Sequence, residues 1–389
     1  MTPLVIVGAG PVGLFLACLL AQRGREVMVL EGAAGIGAVP GKRPSALGKR
    51  LDAQVAPGRS SRSIGVHPPA LEALALIDAA RPLIDCGVAI RRARLFVDRR
   101  PVGSLSLAGC PGPFPFVLSL PQGVTEALLE ERLEQLAPGS LLHAQVSRVC
   151  PGPRGMSVEL ADSGAIETAF VVGCDGRGST TRNSLGLEFE GRAHDHHYLM
   201  ADLPESTDLA SDAAIFLGRR GVVESFPLPG DRRRWVARVA KRPSEPDLAQ
   251  LIEAVSERSG FEPQAVPGVV ASAFTAETRL ASSLAGHHWS LAGDAAHVVS
   301  PIGGQGMNLG WLGALALLDA GAGAHDRWQP KRYEALQRRR ARLVGRRAQR
   351  NMLLGGEKVP PLLREAFART LLLPAFSRSA ARYFTMRGL

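Results

Sequence analysis

The sequence predicts an α/β fold: an open α/β unit, interrupted by a sheet-rich insertion, re-entered late in the chain and followed by C-terminal helices. Three observations predict it. A buried-strand run, LVIV, enters a glycine-rich turn within the first ten residues and is followed by a helical stretch over residues 11–24 and a second strand, EVMVLE. Residues 190–280 are strand and turn in pattern, with one helix near residues 247–259. The strand HWSLAGD then delivers the chain to a second glycine-rich loop, from which helical patterning runs to the C-terminus.

Between these landmarks the elements follow in order. Residues 32–62 form a Gly-, Pro- and Arg-rich connection, long enough for a loop to read as functional or mobile. A helix is expected near residues 69–77, strands near 92–97 and 117–120, and a helix over 123–136. Residues 147–172 alternate as in hairpins and end in the buried strand AFVVGCDG.

Composition sets the outer bounds. With 389 residues, 46% of them hydrophobic, the chain can bury the core of two domains, or of one domain with a large insertion. Aromatics are only 5%, so a pocket lined by aliphatic side chains is expected. The net charge is 46 − 36, or +10, and only Lys42, Lys49, Lys241, Lys331 and Lys358 among the cations are lysines. Such a field attracts a pyridine dinucleotide or an anionic membrane; coding bias explains an arginine excess equally well, and with no nucleic-acid motif present no nucleic-acid partner is expected. Cys18, Cys86, Cys110, Cys150 and Cys174 are odd in number and lack a CxxC pair. They read as packing thiols in a reducing compartment, with no zinc or iron–sulfur site. Apolar runs such as LFLACLLA fall short of the roughly 20 residues of a spanning helix, and the N-terminus shows no signal-peptide pattern. A cytoplasmic location is expected.

Three motifs carry chemistry. In the first, Gly8, Gly10 and Gly13 follow a strand and open a helix, with Pro11 and Val12 between them. Gly8 permits the tight turn, Gly10 lets a pyrophosphate approach the backbone, and Gly13 seats the helix on the sheet, as in a Rossmann-like unit. Glu31 ends the second strand, where a carboxylate binds a ribose hydroxyl pair and repels a 2′-phosphate. The dinucleotide expected here is FAD or NAD, not NADP. The second motif is Cys174-Asp175-Gly176, continuing to Ser179 and Arg182. The third is Gly293-Asp294 with His297, followed by Pro301, Gly303, Gly304, Gln305, Gly306, Met307 and Asn308. There a strand carries Asp294 to ribityl hydroxyls, and a helix N-terminus offers N–H groups and a positive dipole to the pyrimidine edge of a flavin.

The three motifs, in this order and spacing, resemble the para-hydroxybenzoate hydroxylase-like (group A) FAD-dependent aromatic monooxygenases over nearly the whole chain. The resemblance implies that Arg62, in the stretch RSIGVHPPALE, and Gln122 contact FAD. It also implies that Asp175 and Arg182 serve FAD and NAD(P)H. The implied organisation is a Rossmann-like FAD-binding domain in parts 1–80, 119–185 and 283–330, substrate-domain strands at 81–118, a β-sheet-rich substrate domain at 186–282, and C-terminal helices over 331–389. The implied cofactors are tightly bound, non-covalent FAD and NADPH or NADH as a transient co-substrate. The implied reaction uses O2, through a flavin C4a-hydroperoxide, to hydroxylate an aromatic or quinone-like small molecule; no catalytic side chain is assigned. Two departures stand out: the enlarged basic segment before Arg62, and Gly313 where the family often has Asp.

Other readings stay open. A flavoprotein of this fold can carry out epoxidation or C=C reduction on a lipophilic substrate, and the prenyl-GTPase escort proteins keep the first motif without flavin. The halogenase motif WxWxIP is absent. His194-Asp195-His196-His197 reads as a surface turn rather than a metal site, and His297 as a packed or hydrogen-bonded imidazole. Trp235, Trp289, Trp311 and Trp328 read as core. Residues 42–62 suggest a guide for anionic NAD(P)H, and the Arg-rich C-terminal helices suggest a cover for the core or, less strongly, peripheral membrane contact.

Overall fold

The computed structural model describes residues 3–32, 63–162, 164–324, 327–354 and 360–389. Arg62 and the basic stretch 42–62 therefore lie outside the described residues.

The chain starts with β1 (Leu4–Val7), α1 (Pro11–Gln22) and β2 (Val27–Glu31). Next come β3 (Gly65–Val66), α2 (Pro68–Ala75), α3 (Ala80–Cys86), β4 (Val88–Ile90), β5 (Arg92–Val97), β6 (Arg100–Ser106), β7 (Val117–Ser119) and α4 (Gln122–Leu136). They are followed by β8 (Leu141–His143), β9 (Val146–Gly152), β10 (Gly155–Leu160), β11 (Ala165–Thr168), β12 (Val171–Gly173) and α5 (Thr180–Ser184). The insertion holds β13 (Phe189–Pro204), β14 (Ala213–Leu217), β15 (Val223–Leu228), β16 (Arg232–Val239), α6 (Leu248–Ser259) and β17 (Ser272–Ala281). The last part is β18 (Trp289–Leu291), β19 (His297–Val298), α7 (Gln305–Asp319), α8 (Pro330–Leu354), α9 (Pro361–Leu372) and α10 (Pro374–Phe384).

A five-stranded parallel sheet in the order β18-β12-β1-β2-β8 forms the Rossmann-like unit. All four residues of β1 are buried because both faces are covered, which is why the strand reads as an unbroken apolar run. Leu4 and Ile6 face the layer of α1, α4 and α7, while Val5 and Val7 face the antiparallel sheet of β9, β10 and β11. Trp311, fully buried in α7, donates its indole N–H to the carbonyl of Pro11 at 2.9 Å and ties the third motif's helix to the first.

The insertion's sheet has eight strands in the order β19-β17-β13-β16-β15-β14-β5-β6. Strands β5 and β6, which precede it in the chain, join it through the parallel pair β5–β14. Strand periodicity divides its residues between two faces. Leu199, Ala201, Trp235 and Ala237 pack toward α6, while Tyr198, Met200, Val236 and Phe274 face the loop before α7 and the C-terminal helices.

One expectation is corrected here. His194, Asp195, His196 and His197 do not form a surface turn. They lie within β13, where its pairing with β17 shifts between Ala193 and His197, and His194 and His197 hydrogen-bond Thr278 and Thr275 of β17. A bulge lets a polar cluster remain inside a long strand. The C-terminal segment also divides: Phe367, Leu371 and Phe384 line an internal cavity, and Arg364 is 1% exposed, whereas Leu363 and Phe376 face outward. Among the described residues, no helix is long and apolar enough to cross a membrane.

Candidate active site

The first motif's glycines do different work. Gly8 sits at φ +101°, and a Cβ there would lie 2.6 Å from the carbonyl oxygen of Cys174, so only glycine lets β1 turn beside the second motif. A Cβ at Gly13 would overlap the Gly8 carbonyl. A Cβ at Gly10 would meet nothing within 4 Å. Packing thus explains Gly8 and Gly13, whereas Gly10 faces open space. Gly10 also N-caps α1 without a side-chain hydrogen bond, with Pro11 at the first turn, so the positive end of the helix dipole points into that space. Across it, the Glu31 carboxylate at the tip of β2 accepts a hydrogen bond from the Ala9 N–H at 2.7 Å.

The third motif docks directly on the first. Gly293 has φ +59°, and Cβ atoms built at Gly293 and Gly310 both run into Val12, so these glycines bring α7 against the start of α1. Asp294 is exposed at the tip of β18, on the same edge of the sheet as Glu31. After Pro301 the chain turns through Gly303 (φ +85°) and Gly304 (φ +62°), and Gly304 caps α7 without any side-chain bond. Gln305 is buried with its Oε1 unpartnered, and Gly306 and Met307 are half-buried beside it. Asn308 holds the turn: its Nδ2 donates to the carbonyls of Gly65 and Gly304, and its Oδ1 accepts from the His67 N–H.

The second motif is tied into the protein by its own contacts. Asp175 accepts hydrogen bonds from the Ser179 hydroxyl at 2.6 Å and the Thr181 N–H at 2.8 Å, capping α5. Arg182 is 4% exposed, donates to the Ala295 carbonyl at 3.2 Å and lies 3.9 Å over the Phe189 ring, tying this loop to the third motif. Gln122 opens α4 and donates to Glu126 at 2.9 Å. Gly313, where the family often has Asp, makes room for Gln337 of α8; the amide of Gln337 reaches Nε2 of the buried His297 at 2.7 Å. Burial pushes the His297 imidazole down to about 4, which keeps it neutral.

Beyond the turn at 301–304 lies a cavity of about 240 Å³. One wall is Pro301, Gly303 and Gly304, and the other is the eight-stranded sheet, with the C-terminal helices closing the end. Most of the lining is aliphatic, as the low aromatic content predicts. Its polar groups include His67, Tyr198, Glu224 and Arg234, none of which sequence reasoning singled out. A glutamate inside the apolar run GVVESFPL was the available signal, because at strand period it shares a face with Val222 and Phe226. His67 donates from Nε2 to the Gly303 carbonyl at 3.1 Å, and burial pushes its imidazole down to about 4. Arg234 is held by Asp202 in two bonds of 2.6 and 2.8 Å.

A model of the "FAD binding domain" family matches residues 49–346, most of the chain. The chain belongs to this FAD-binding family. A second model, "NAD(P)-binding Rossmann-like domain", matches residues 6–43. The two matches support FAD as cofactor with NAD(P)H as co-substrate, and the family agrees with the group A aromatic monooxygenase resemblance. As a member of the FAD-binding family, the chain is similar to 6-methylpretetramide 4-monooxygenase of Streptomyces rimosus, 33% identical over 80% of this chain and 54% of that protein. It is also similar to dialkyldecalin synthase of Streptomyces rugosporus, 30% identical over 79% of this chain and 64% of that protein. It thus spans between about half and two thirds of the length of these relatives. Among solved structures, an anhydrotetracycline hydroxylase from Streptomyces rimosus superposes with TM-score 0.74 at 27% identity, covering 100% of this chain and 76% of that one. A p-nitrophenol 4-monooxygenase from Pseudomonas putida, at 19% identity, shares the fold with TM-score 0.83 over 100% of this chain and 98% of that one.

The residues present suit FAD. An open approach at Gly10, two helix N-termini without side-chain caps, carboxylates at two strand tips and the unpartnered Gln305 Oε1 all meet on one edge of the sheet.

Proposed function

We propose that the chain is an FAD-dependent monooxygenase that uses NAD(P)H and O2 to hydroxylate an aromatic or quinone-like small molecule. The observation that carries this reading is the position of the apolar cavity, walled on one side by the Pro301–Gly304 turn at the start of α7. Any flavin ring seated on that helix N-terminus faces the cavity. When bound, FAD supplies the two-electron transfer and the oxygen activation. The protein's part is to bind, orient and exclude water. Gly10 and the α1 N-terminus receive the pyrophosphate, Glu31 the ribose hydroxyls, and Asp294 the ribityl hydroxyls. Pro301, Gly303, Gly304, Gln305, Gly306, Met307 and Asn308 form the seat of the pyrimidine edge, and Arg62 and Gln122 add contacts along the dinucleotide. Asp175 and Arg182 act by holding the second motif against the third. The aliphatic walls keep water from the reacting face.

A second reading is favoured by the 30% identity to a dialkyldecalin synthase, whose name describes ring formation. One experiment separates the two. The purified protein is tested for yellow flavin bands, then for NAD(P)H oxidation over a panel of aromatic substrates, with oxygen uptake and product mass followed together. Substrate-dependent oxygen uptake with a product one oxygen heavier supports the monooxygenase. A bound flavin with no NAD(P)H or oxygen consumption and an isomeric product supports ring formation. A colourless protein that does not take up FAD overturns both.

A further inference from the structure

The cavity carries a carboxyl group that cofactor binding does not use. Glu224 and Phe226 share one face of β15, with Val222 just before the strand in phase with them, and all three line the cavity wall. The cross-strand neighbours of Glu224 are Ile215 on β14 and Val236 on β16, both apolar. The residue is 8% exposed, and burial alone, with no hydrogen bond or neighbouring charge contributing, raises the pKa of its carboxyl. Two strands away, the Tyr198 ring stacks on Phe274 at 5.1 Å, and its hydroxyl is buried without a partner. The other charged or titratable groups facing this wall are His67 from the turn before α2, Arg234, which is paired with Asp202, and Arg238, which lies within electrostatic reach of Tyr198. A mostly apolar pocket with a few convergent polar groups is a site where those groups decide which ligand enters.

We propose that Glu224, with the Tyr198 hydroxyl on the same wall, fixes the substrate class: the cavity takes an uncharged phenol whose hydroxyl hydrogen-bonds the Glu224 carboxyl, and it rejects a ring bearing a carboxylate. The inference rests on the reading of this cavity as the substrate site. Its chemistry is that of a lone buried acid. A phenol supplies both a donor and an acceptor and satisfies the carboxyl in either protonation state, whereas a ligand carboxylate brings a like charge into low dielectric beside Glu224, where the lining cation Arg234 is already held by Asp202. Burial pushes the Glu224 carboxyl up to about 7, so the discrimination strengthens as pH rises through neutrality. His67, held down at about 4, is already neutral in that range.

The test uses the FAD-loaded protein without NAD(P)H, so that no turnover enters the measurement. Binding of 2-naphthol and 2-naphthoate is followed by calorimetry at about pH 6 and about pH 8. The expected result is naphthol binding at both pH values, with naphthoate at least about tenfold weaker at the higher pH and the gap narrowing at the lower. Glu224→Gln should reduce the gap to about threefold or less and remove its pH dependence; Tyr198→Phe should weaken naphthol binding and keep the pH dependence. If Glu224→Gln does not fold, the wild-type pH profile decides alone, because naphthoate remains ionised throughout. A preference that is flat with pH, or unchanged in Glu224→Gln, overturns the inference and leaves the cavity as the substrate site. Failure of both rings to bind overturns the substrate-site reading as well.

Discussion

The Oδ1 of Asn308, in the first turn of α7, accepts a hydrogen bond from the backbone N–H of His67 at 2.7 Å, joining two segments 241 residues apart in sequence. The same side chain donates to the Gly65 carbonyl at 2.8 Å and the Gly304 carbonyl at 2.7 Å. One buried amide therefore satisfies three backbone groups and sets the turn that walls the cavity. Asn308→Ala should leave those groups without partners and lower stability by about 3 kcal/mol, at roughly 1 kcal/mol per hydrogen bond. Urea unfolding measures it, and a loss below about 1 kcal/mol would show that the turn is held by other contacts.

The glycines of the first motif separate folding from binding. Gly13→Ala forces a Cβ onto the Gly8 carbonyl, so it should destabilise the cofactor-free protein strongly. Gly10→Ala meets nothing within 4 Å and should leave the melting temperature of that form nearly unchanged. Its methyl enters the space proposed for the pyrophosphate, so FAD affinity should fall by at least about tenfold. Equal FAD affinity in Gly10→Ala and wild type would place the dinucleotide elsewhere.

Asp294 gives a sharper measure of the same site. It stands exposed at a strand tip, where losing a charged hydrogen bond to a ligand costs on the order of 1.5–3 kcal/mol. Asp294→Ala should therefore weaken FAD binding by roughly ten- to a hundredfold. Fluorescence titration of the flavin checks it; undiminished affinity would remove Asp294 from the site.

The buried histidines predict an acid limit. Burial pushes both His67 and His297 down to about 4 from an ordinary 6.5. Between those values the unfolded chain binds more protons than the folded one, so stability falls as pH drops from about 6.5 toward 4. Each imidazole contributes a slope of roughly 1.4 kcal/mol per pH unit across that window. Denaturant midpoints measured from pH 7 to pH 5 should fall less steeply in His297→Gln than in wild type. Parallel curves would mean that His297 titrates in the folded protein as it does in the unfolded one.

What was legible in the sequence follows from how locally each feature is encoded. The parallel sheet was readable because β1 and β12 must be apolar on both faces, and the motif turns because their glycines stand next to the strands they end. The division of α9 and α10 was not readable: Phe367 and Phe376 look alike in sequence, and only the position of β5 and β6 decides which of them lines the cavity. The His194–His197 cluster misled because four polar residues suggest a turn, whereas a long strand pairing with β17 absorbs them at a register shift. Glu224 was missed for the opposite reason. A single acid in a strand reads as the solvent face, and its burial comes from strands and helices far away in the chain.

That burial has a stability consequence with the opposite sign to the histidines. The Glu224 carboxyl is pushed up to about 7 from 4.5 by desolvation. Between those values the unfolded chain has released the proton that the folded protein retains, so stability falls as pH rises through the window and the loss is complete above about 7. Glu224→Gln keeps the shape and removes the charge. It should leave stability nearly unchanged near pH 4.5, where the wild-type carboxyl is protonated in the folded protein, and raise it at pH 8 by up to about 3 kcal/mol. Water entering through the cavity lowers that ceiling but not its sign. Thermal melts of the cofactor-free protein at the two pH values measure the difference. An equal shift at both, or a loss at pH 8, would mean that the Glu224 carboxylate is compensated in the folded protein.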